Sequence, residues 1–193
     1  MGQTYTYERS TAPPTDREVT PDELLHNPQW GRCELVDGKV IQMSPAGRQH
    51  GVVAGRILGY IFQYLLTRPL GELYAAETGF IFPNGKTVRA PDVMFLSSVR
   101  ITPELSETGF VGIVPDFAVE VVSPEQPFAK MVEKVESYLK IGLKLAWIVE
   151  PDDQTIHVYK PSTPVQVFHL DDTLSCENIL PGFELKVRHI FAR

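Results

Sequence analysis

The side chains in this sequence that could do chemistry are acids in apolar surroundings. Glu120 sits in Phe117-Ala118-Val119-Glu120-Val121-Val122, with apolar neighbours throughout. An unpaired carboxylate buried in such a strand is costly, so it must be protonated, paired or bound to a cation. Asp92 repeats the pattern within Val88-Arg89-Ala90-Pro91-Asp92-Val93-Met94-Phe95-Leu96. Pro91 is tolerated only at a strand start, an edge or a bulge, so regular pairing is disturbed beside Asp92. A second Pro-Asp pair, Pro115-Asp116, competes for the same role. Asp116 and Glu120 share strand parity, but at about 3.3 Å per residue they stand about 13 Å apart. One cation cannot span that distance. Asp92, reaching across from a neighbouring strand, is therefore the expected partner of Glu120, and Asp116 is expected to be a strand-start or turn residue. Two carboxylates on adjacent strands suit Mg²⁺ (or Mn²⁺), a hard ion that takes oxygen ligands and keeps several waters. Such an ion activates water and offsets charge building on a phosphate.

A basic partner is expected next. Over residues 125–141, at about 100° per residue, Phe128, Met131, Val132, Val135 and Leu139 form one apolar stripe. Lys134 falls at its border, beside Met131 and Tyr138, while Lys130, Glu133 and Glu136 point further outward. A lysine at that border either snorkels to solvent or projects its ammonium over the sheet towards Glu120. Lys134 is the catalytic candidate on this helix, to stabilise phosphate charge or position the attacking water. His50 shares a helical face with Val53, Ala54, Ile57 and Ile61, where a histidine is either hydrogen-bonded core or ligand. Glu34 pairs with Ile41 if Asp37-Gly38 is a two-residue turn, and it then has a chance to face inward.

These residues need elements to hold them. Thr20-Pro21-Asp22-Glu23 supplies a cap, a proline at the first helical position and early acids, predicting a short helix ending before Pro28. Cys33–Val36 and Lys39–Met43 read as a hairpin on a type I′ turn. Residues 47–66 carry apolar side chains at helical spacing. Residues 73–82 and 87–96 read as two strands joined across Pro83-Asn84-Gly85, and a short helix is expected after Thr102-Pro103. Phe117–Val122 has the composition of a central strand covered on both faces. The helix over 125–141, stopped by Gly142, then leads to a meander of strands at 145–149, 155–159 and 165–169, and to a last strand from Phe183. This order predicts an α/β layer fold with a mixed sheet.

Composition sets the bounds. With 193 residues, 43% hydrophobic and 22% charged, the chain suits one well-cored domain. No apolar run is long enough to span a bilayer, and the first residues lack the basic-then-apolar order of a secretory signal. Cys33 and Cys176 lack metal-ligand spacing and fit a reducing, cytoplasmic setting. The net charge of −6 argues against tight, general DNA binding, although it allows a local basic cleft or an acidic metal site.

Taken together, Glu34-Leu35-Val36-Asp37-Gly38, the His50 helix, Ala90-Pro91-Asp92-Val93, Pro115–Pro124, Lys134 followed by Tyr138, and Leu145–Pro151 resemble the Uma2 family. This is a group of bacterial restriction-endonuclease-like proteins within the PD-(D/E)XK nuclease superfamily. The resemblance covers roughly residues 20–190. It implies a restriction-endonuclease-like mixed β-sheet flanked by helices, with additional antiparallel strands. Residues 1–19 would be a flexible N-terminal arm and 20–193 a single nuclease-like domain. Asp92 and Glu120 would be metal ligands and Lys134 the motif lysine; beside the resemblance, His50 and Glu34 are candidates to orient the metal's water shell. In the plain superfamily pattern the lysine lies two residues after the acid, on the same strand. That position is Val122 here, so the lysine would have moved to the following helix. The implied activity is Mg²⁺- or Mn²⁺-dependent hydrolysis of nucleic acid, DNA first. The alternative is a nuclease fold kept as a non-catalytic binding or assembly module. A homodimer would serve two-strand cutting, and the tail from Cys176 to Arg193 is a candidate interface.

Overall fold

The structure, a computed structural model, describes residues 12–192 except 104, 106, 107 and 125. The arm expected over 1–19 therefore lies largely outside the described residues. Its last residue, Val19, is buried and donates its N–H to the Gly38 carbonyl at 2.8 Å.

Helix α1 (Pro21–Leu25) starts on a capping box, in which the Thr20 hydroxyl takes the Glu23 N–H while the Glu23 carboxylate takes the Thr20 N–H. Strands β1 (Cys33–Val36) and β2 (Lys39–Gln42) form the expected hairpin. Asp37 and Gly38 both have positive φ, 48° and 77°, as a type I′ turn demands. Glu34 faces Ile41 across it. Helix α2 (Arg48–Leu65) follows, burying His50, Val53, Ile57 and Ile61 along one face.

The two strands expected at 73–82 and 87–96 are each split. β3 (Gly71–Ala75) and β6 (Val93–Ser97) pair antiparallel in a six-stranded sheet, whereas β4 (Phe80–Ile81) and β5 (Val88–Arg89) pair in a four-stranded sheet beside β1. The breaks have local causes. Glu77 takes a φ of 74°, which no strand residue adopts, and Pro91 cannot donate to a ladder. The long hairpin thus steps from one sheet to the other immediately before Asp92. The described residues following Thr102-Pro103 form no helix, and a 3₁₀ turn at Ser98–Arg100 precedes them.

β7 (Phe117–Val121) is buried at every position, as its composition predicts. It pairs antiparallel with β6 and parallel with β8 (Leu145–Glu150). The parallel pair requires a crossover, supplied by α3 (Phe128–Lys140). β9 (Thr155–Tyr159) and β10 (Gln166–Phe168) complete the meander and the strand order β10-β9-β8-β7-β6-β3. The tail is richer than the single strand expected from Phe183. β11 (Thr173–Cys176) and β12 (Leu180–Lys186) form a hairpin, and α4 (Val187–Phe191) follows.

Alternation divides the core. Val93, Phe95, Phe117, Val119, Trp147 and Val149 join α2 and the tail on one face of the large sheet. Met94, Leu96, Ala118, Ala146 and Ile148 join Met131, Val135 and Tyr138 of α3 on the other. Leu180, Phe183, Leu185, Val187 and Ile190 of the tail are buried within the chain's own core, while Ile179 and Phe191 are partly buried.

Candidate active site

Strand register brings the two acids together. β6 and β7 pair Val93 with Val119, so the next pair outward sets Asp92 against Glu120. Residues opposed in this way place their Cβ atoms about 4.5–5.5 Å apart. Both side chains are nearly closed off from solvent, at 5% and 3% exposure. Asp116 lies at the far end of β7, where it accepts the Ser97 N–H at 2.9 Å and pairs with Arg100 and Lys144.

Each acid is held by different neighbours. Asp92 Oδ2 accepts the Val121 main-chain N–H at 2.8 Å and is met by His50 Nε2 at 3.1 Å. His50 can reach it because α2 begins near the end of the sheet. On the opposite face, α3 projects Lys134 and Tyr138 one turn apart, which places them side by side. The Tyr138 hydroxyl donates to Glu120 Oε1 at 2.7 Å, and Lys134 Nζ approaches the same oxygen at 2.9 Å. Lys134 also reaches Glu34 Oε1 at 2.9 Å. Glu34 comes from the smaller sheet, where Arg89 NH1 donates to its Oε2 at 2.7 Å and the Ala90 N–H donates to its Oε1 at 3.1 Å. The lysine thus ties the two sheets together through a pair of buried carboxylates. It is buried itself, not snorkelling.

The electrostatics follow from this packing. Burial, aided by repulsion from Asp92 and Glu34, pushes the Glu120 carboxyl up to about 7 against the pull of Lys134 and Tyr138. Burial also opposes ionisation of Glu34, but Lys134, Arg89 and the Ala90 N–H outweigh it and hold that carboxyl below its ordinary value. For Lys134, burial is overcome by Glu120 and Glu34, and the ammonium is held above its usual range. Burial, together with the charges of Glu120 and Glu34, raises the Tyr138 phenol, so it remains a donor. An acid raised towards neutrality beside a fixed cation is a frequent property of functional sites.

Asp92, Glu120, Glu34, Lys134 and His50 all line one cavity of about 400 Å³. Among the described residues, no group of three or more His, Cys, Asp or Glu is arranged to hold a metal ion. Mg²⁺ does not require one, since it is commonly held by one or two carboxylates and its own waters. Asp92 Oδ1 and Glu120 Oε2 accept no hydrogen bond from the described residues, so the donor set fits a hard cation at these two oxygens. Sequence reasoning did not find Arg89, which pins Glu34, or the bond from Tyr138 to Glu120. The helical spacing of Lys134 and Tyr138 was the available signal for the second, whereas Arg89 looks like an ordinary strand residue.

Comparison with known proteins bears on the same region. The family model of Uma2, described as "Putative restriction endonuclease", matches residues 19–188. No curated protein matches the chain. The crystal structure of "a putative nuclease belonging to DUF820" from Anabaena variabilis ATCC 29413 is similar at a TM-score of 0.76 and 25% identity, covering 90% of this chain and 98% of that one. The chain belongs to the Uma2 family, and its fold is similar to that of the Anabaena variabilis protein.

Proposed function

We propose that this Uma2 family member is a metal-dependent endonuclease that hydrolyses phosphodiester bonds in nucleic acid, DNA in the first instance. The observation that carries the reading is the placement of Asp92 opposite Glu120, with Lys134 on Glu120 and one cavity in front of all three. Asp92 and Glu120 are the residues to hold Mg²⁺ or Mn²⁺. A divalent cation there supplies positive charge against the phosphate and a nucleophile at neutral pH.

The chain's own residues have distinct tasks in this reading. Val121 and His50 fix Asp92 Oδ2 and so turn Oδ1 towards the cation position. Tyr138 and Lys134 occupy Glu120 Oε1 and leave Oε2 for the cation. Two of the three Lys134 N–H groups meet Glu120 and Glu34, and the third remains to contact a non-bridging phosphate oxygen. Glu34, clamped by Arg89, keeps the ammonium at the cavity wall. No described helix is long and apolar enough to cross a membrane. We place the protein in the cytoplasm, where the free thiols Cys33 and Cys176 persist. Two-strand scission would call for a symmetric pair of chains.

The test is a plasmid-nicking assay with Mg²⁺ or Mn²⁺, comparing the wild type with Asp92→Asn and Glu120→Gln. The wild type should nick DNA, the variants should lose at least a hundredfold in rate, and chelator should abolish the signal. Wild-type protein that binds the metal but cuts neither DNA nor RNA would refute the activity.

A further inference from the structure

Lys134 cannot by itself meet the charge of a polyanionic substrate. It already faces two carboxylates, and Glu34, Asp92 and Glu120 together make the cavity wall acidic. Among the described residues, Arg32 is the other arginine or lysine lining that cavity. Its position follows from the backbone. Gly31, at a φ of 77°, turns the chain from the short 3₁₀ segment Pro28–Trp30, and the Arg32 carbonyl accepts the Met43 N–H at 2.9 Å, closing the base of the β1–β2 hairpin. The main chain is thereby fixed while the side chain is left to project.

Among the described residues, that side chain makes two long ion pairs and no close hydrogen bond. Its guanidinium stands 3.9 Å from Asp92 Oδ1 and 3.9 Å from Glu77, too far for a hydrogen bond, and it is 25% exposed. Arg89, by contrast, is bonded to Glu34 at 2.7 Å. Arg32 also lines a second cavity of about 500 Å³, which shares His50 and Asp92 with the first and continues along the α2 backbone past Gly51 and Gly55. It therefore stands at the wall common to both spaces.

The geometry points to Arg32 as the residue that binds a substrate phosphate at the junction of the two cavities. This inference rests on the nuclease reading above. A guanidinium presents its donors in a planar fork that matches two phosphate oxygens, and here the fork is not saturated by protein acceptors. The phosphate contacted is one next to the scissile position, since Arg32 stands beside Asp92 whereas Lys134 is bonded to Glu120 and Glu34. The contact reads charge and not base sequence.

The experiment measures binding of a short fluorescein-labelled DNA duplex by anisotropy over a series of NaCl concentrations, with Ca²⁺ present. Wild type, Arg32→Gln and Arg32→Lys are compared, and Mn²⁺ affinity and thermal melting are followed in parallel. Loss of one phosphate contact should lower the slope of log K against log[salt] by about 0.9. Arg32→Gln should show that drop and a roughly tenfold weaker Kd, with no fall in Mn²⁺ affinity, whereas Arg32→Lys should keep the wild-type slope. An Arg32→Gln slope and Kd equal to wild type would overturn the assignment, as would a variant that fails to fold, because Arg32 would then be a structural residue. Wild-type protein that does not bind the duplex would overturn the nuclease reading and this inference with it, a result seen before any variant is made.

Discussion

Glu120→Gln separates a buried charge from its consequences. The glutamine keeps the volume of the side chain and an oxygen for Tyr138 and Lys134, and Lys134 retains Glu34. What it removes is the ionised form of a carboxyl that burial and two neighbouring acids have lifted from 4.5 to about 7. A raised acid binds its proton more tightly in the folded state, so this group makes the wild type lose stability as pH rises from 4.5 to about 7. The full shift corresponds to about 3 kcal/mol. Glutamine does not titrate, so the variant escapes that loss. In urea unfolding with chelator present, the variant's stability minus the wild type's should rise by about 3 kcal/mol between about pH 5 and about pH 8. Adding Mn²⁺ should then offset most of that difference. The wild type gains about 2.7 kcal/mol at a hundredfold excess over Kd, while the variant, lacking one ligand, gains little. A stability difference that is the same at both pH values would refute the account of Glu120 as a strained buried acid. Equal stabilisation of both proteins by Mn²⁺ would refute its role as a ligand.

Two further substitutions probe the frame around the site. Tyr138→Phe keeps the ring contacts with Phe80 and Phe82, at 5.4 and 6.0 Å between centroids, but removes the donor to Glu120 Oε1. It should cost about 1 kcal/mol in stability and weaken Mn²⁺ binding about tenfold, as read by equilibrium dialysis. Unchanged affinity would show that the hydroxyl does not orient the carboxylate. Gly71→Ala would set a methyl 2.1 Å from the Leu96 carbonyl oxygen and 2.7 Å from the Phe95 ring, both on β6, the strand that carries the chain on from Asp92. It should destabilise by about 3 kcal/mol, and an unshifted melting temperature would contradict the close approach.

The legible parts of the sequence are those where one local rule decides the outcome. The Asp37-Gly38 turn, the capping box at Thr20 and the all-apolar β7 each follow from a few neighbouring residues. Glu120 was conspicuous for the same reason, as an acid where every neighbour is apolar. The splitting of the expected strands at Glu77 and Pro91 was harder to read. Pro91 announces a disturbance but does not say that the chain changes sheets there. Glu34 gave a weak signal because its inward orientation depends on Arg89 and Lys134, which arrive from distant parts of the chain. The tail's short helix and its β11 partner are likewise settled by packing against α2. A buried polar residue can be recognised as an anomaly from local sequence, but its partners are a product of topology.

β7 itself contains the control for the functional reading. Asp116 and Glu120 are both buried acids on this strand or at its start, and both face cations. Asp116 meets Arg100, Lys144 and the Ser97 N–H, and although burial opposes its ionisation, those partners hold its carboxyl below the ordinary value. This is how a structural acid is built: its partners outweigh the cost of burial, and it lies away from the site cavity. Glu120 has a lysine and a tyrosine on the same oxygen, yet its carboxyl is raised, because burial opposes its ionisation and the charges of Asp92 and Glu34 add to that. A fold selected for stability alone would gain by separating those acids or by replacing one with an apolar residue. Three carboxylates around one cavity are compensated only in part by Lys134, Arg89 and the more distant Arg32, and the oxygens of Asp92 and Glu120 that accept no hydrogen bond from the described residues are where a further cation would be held.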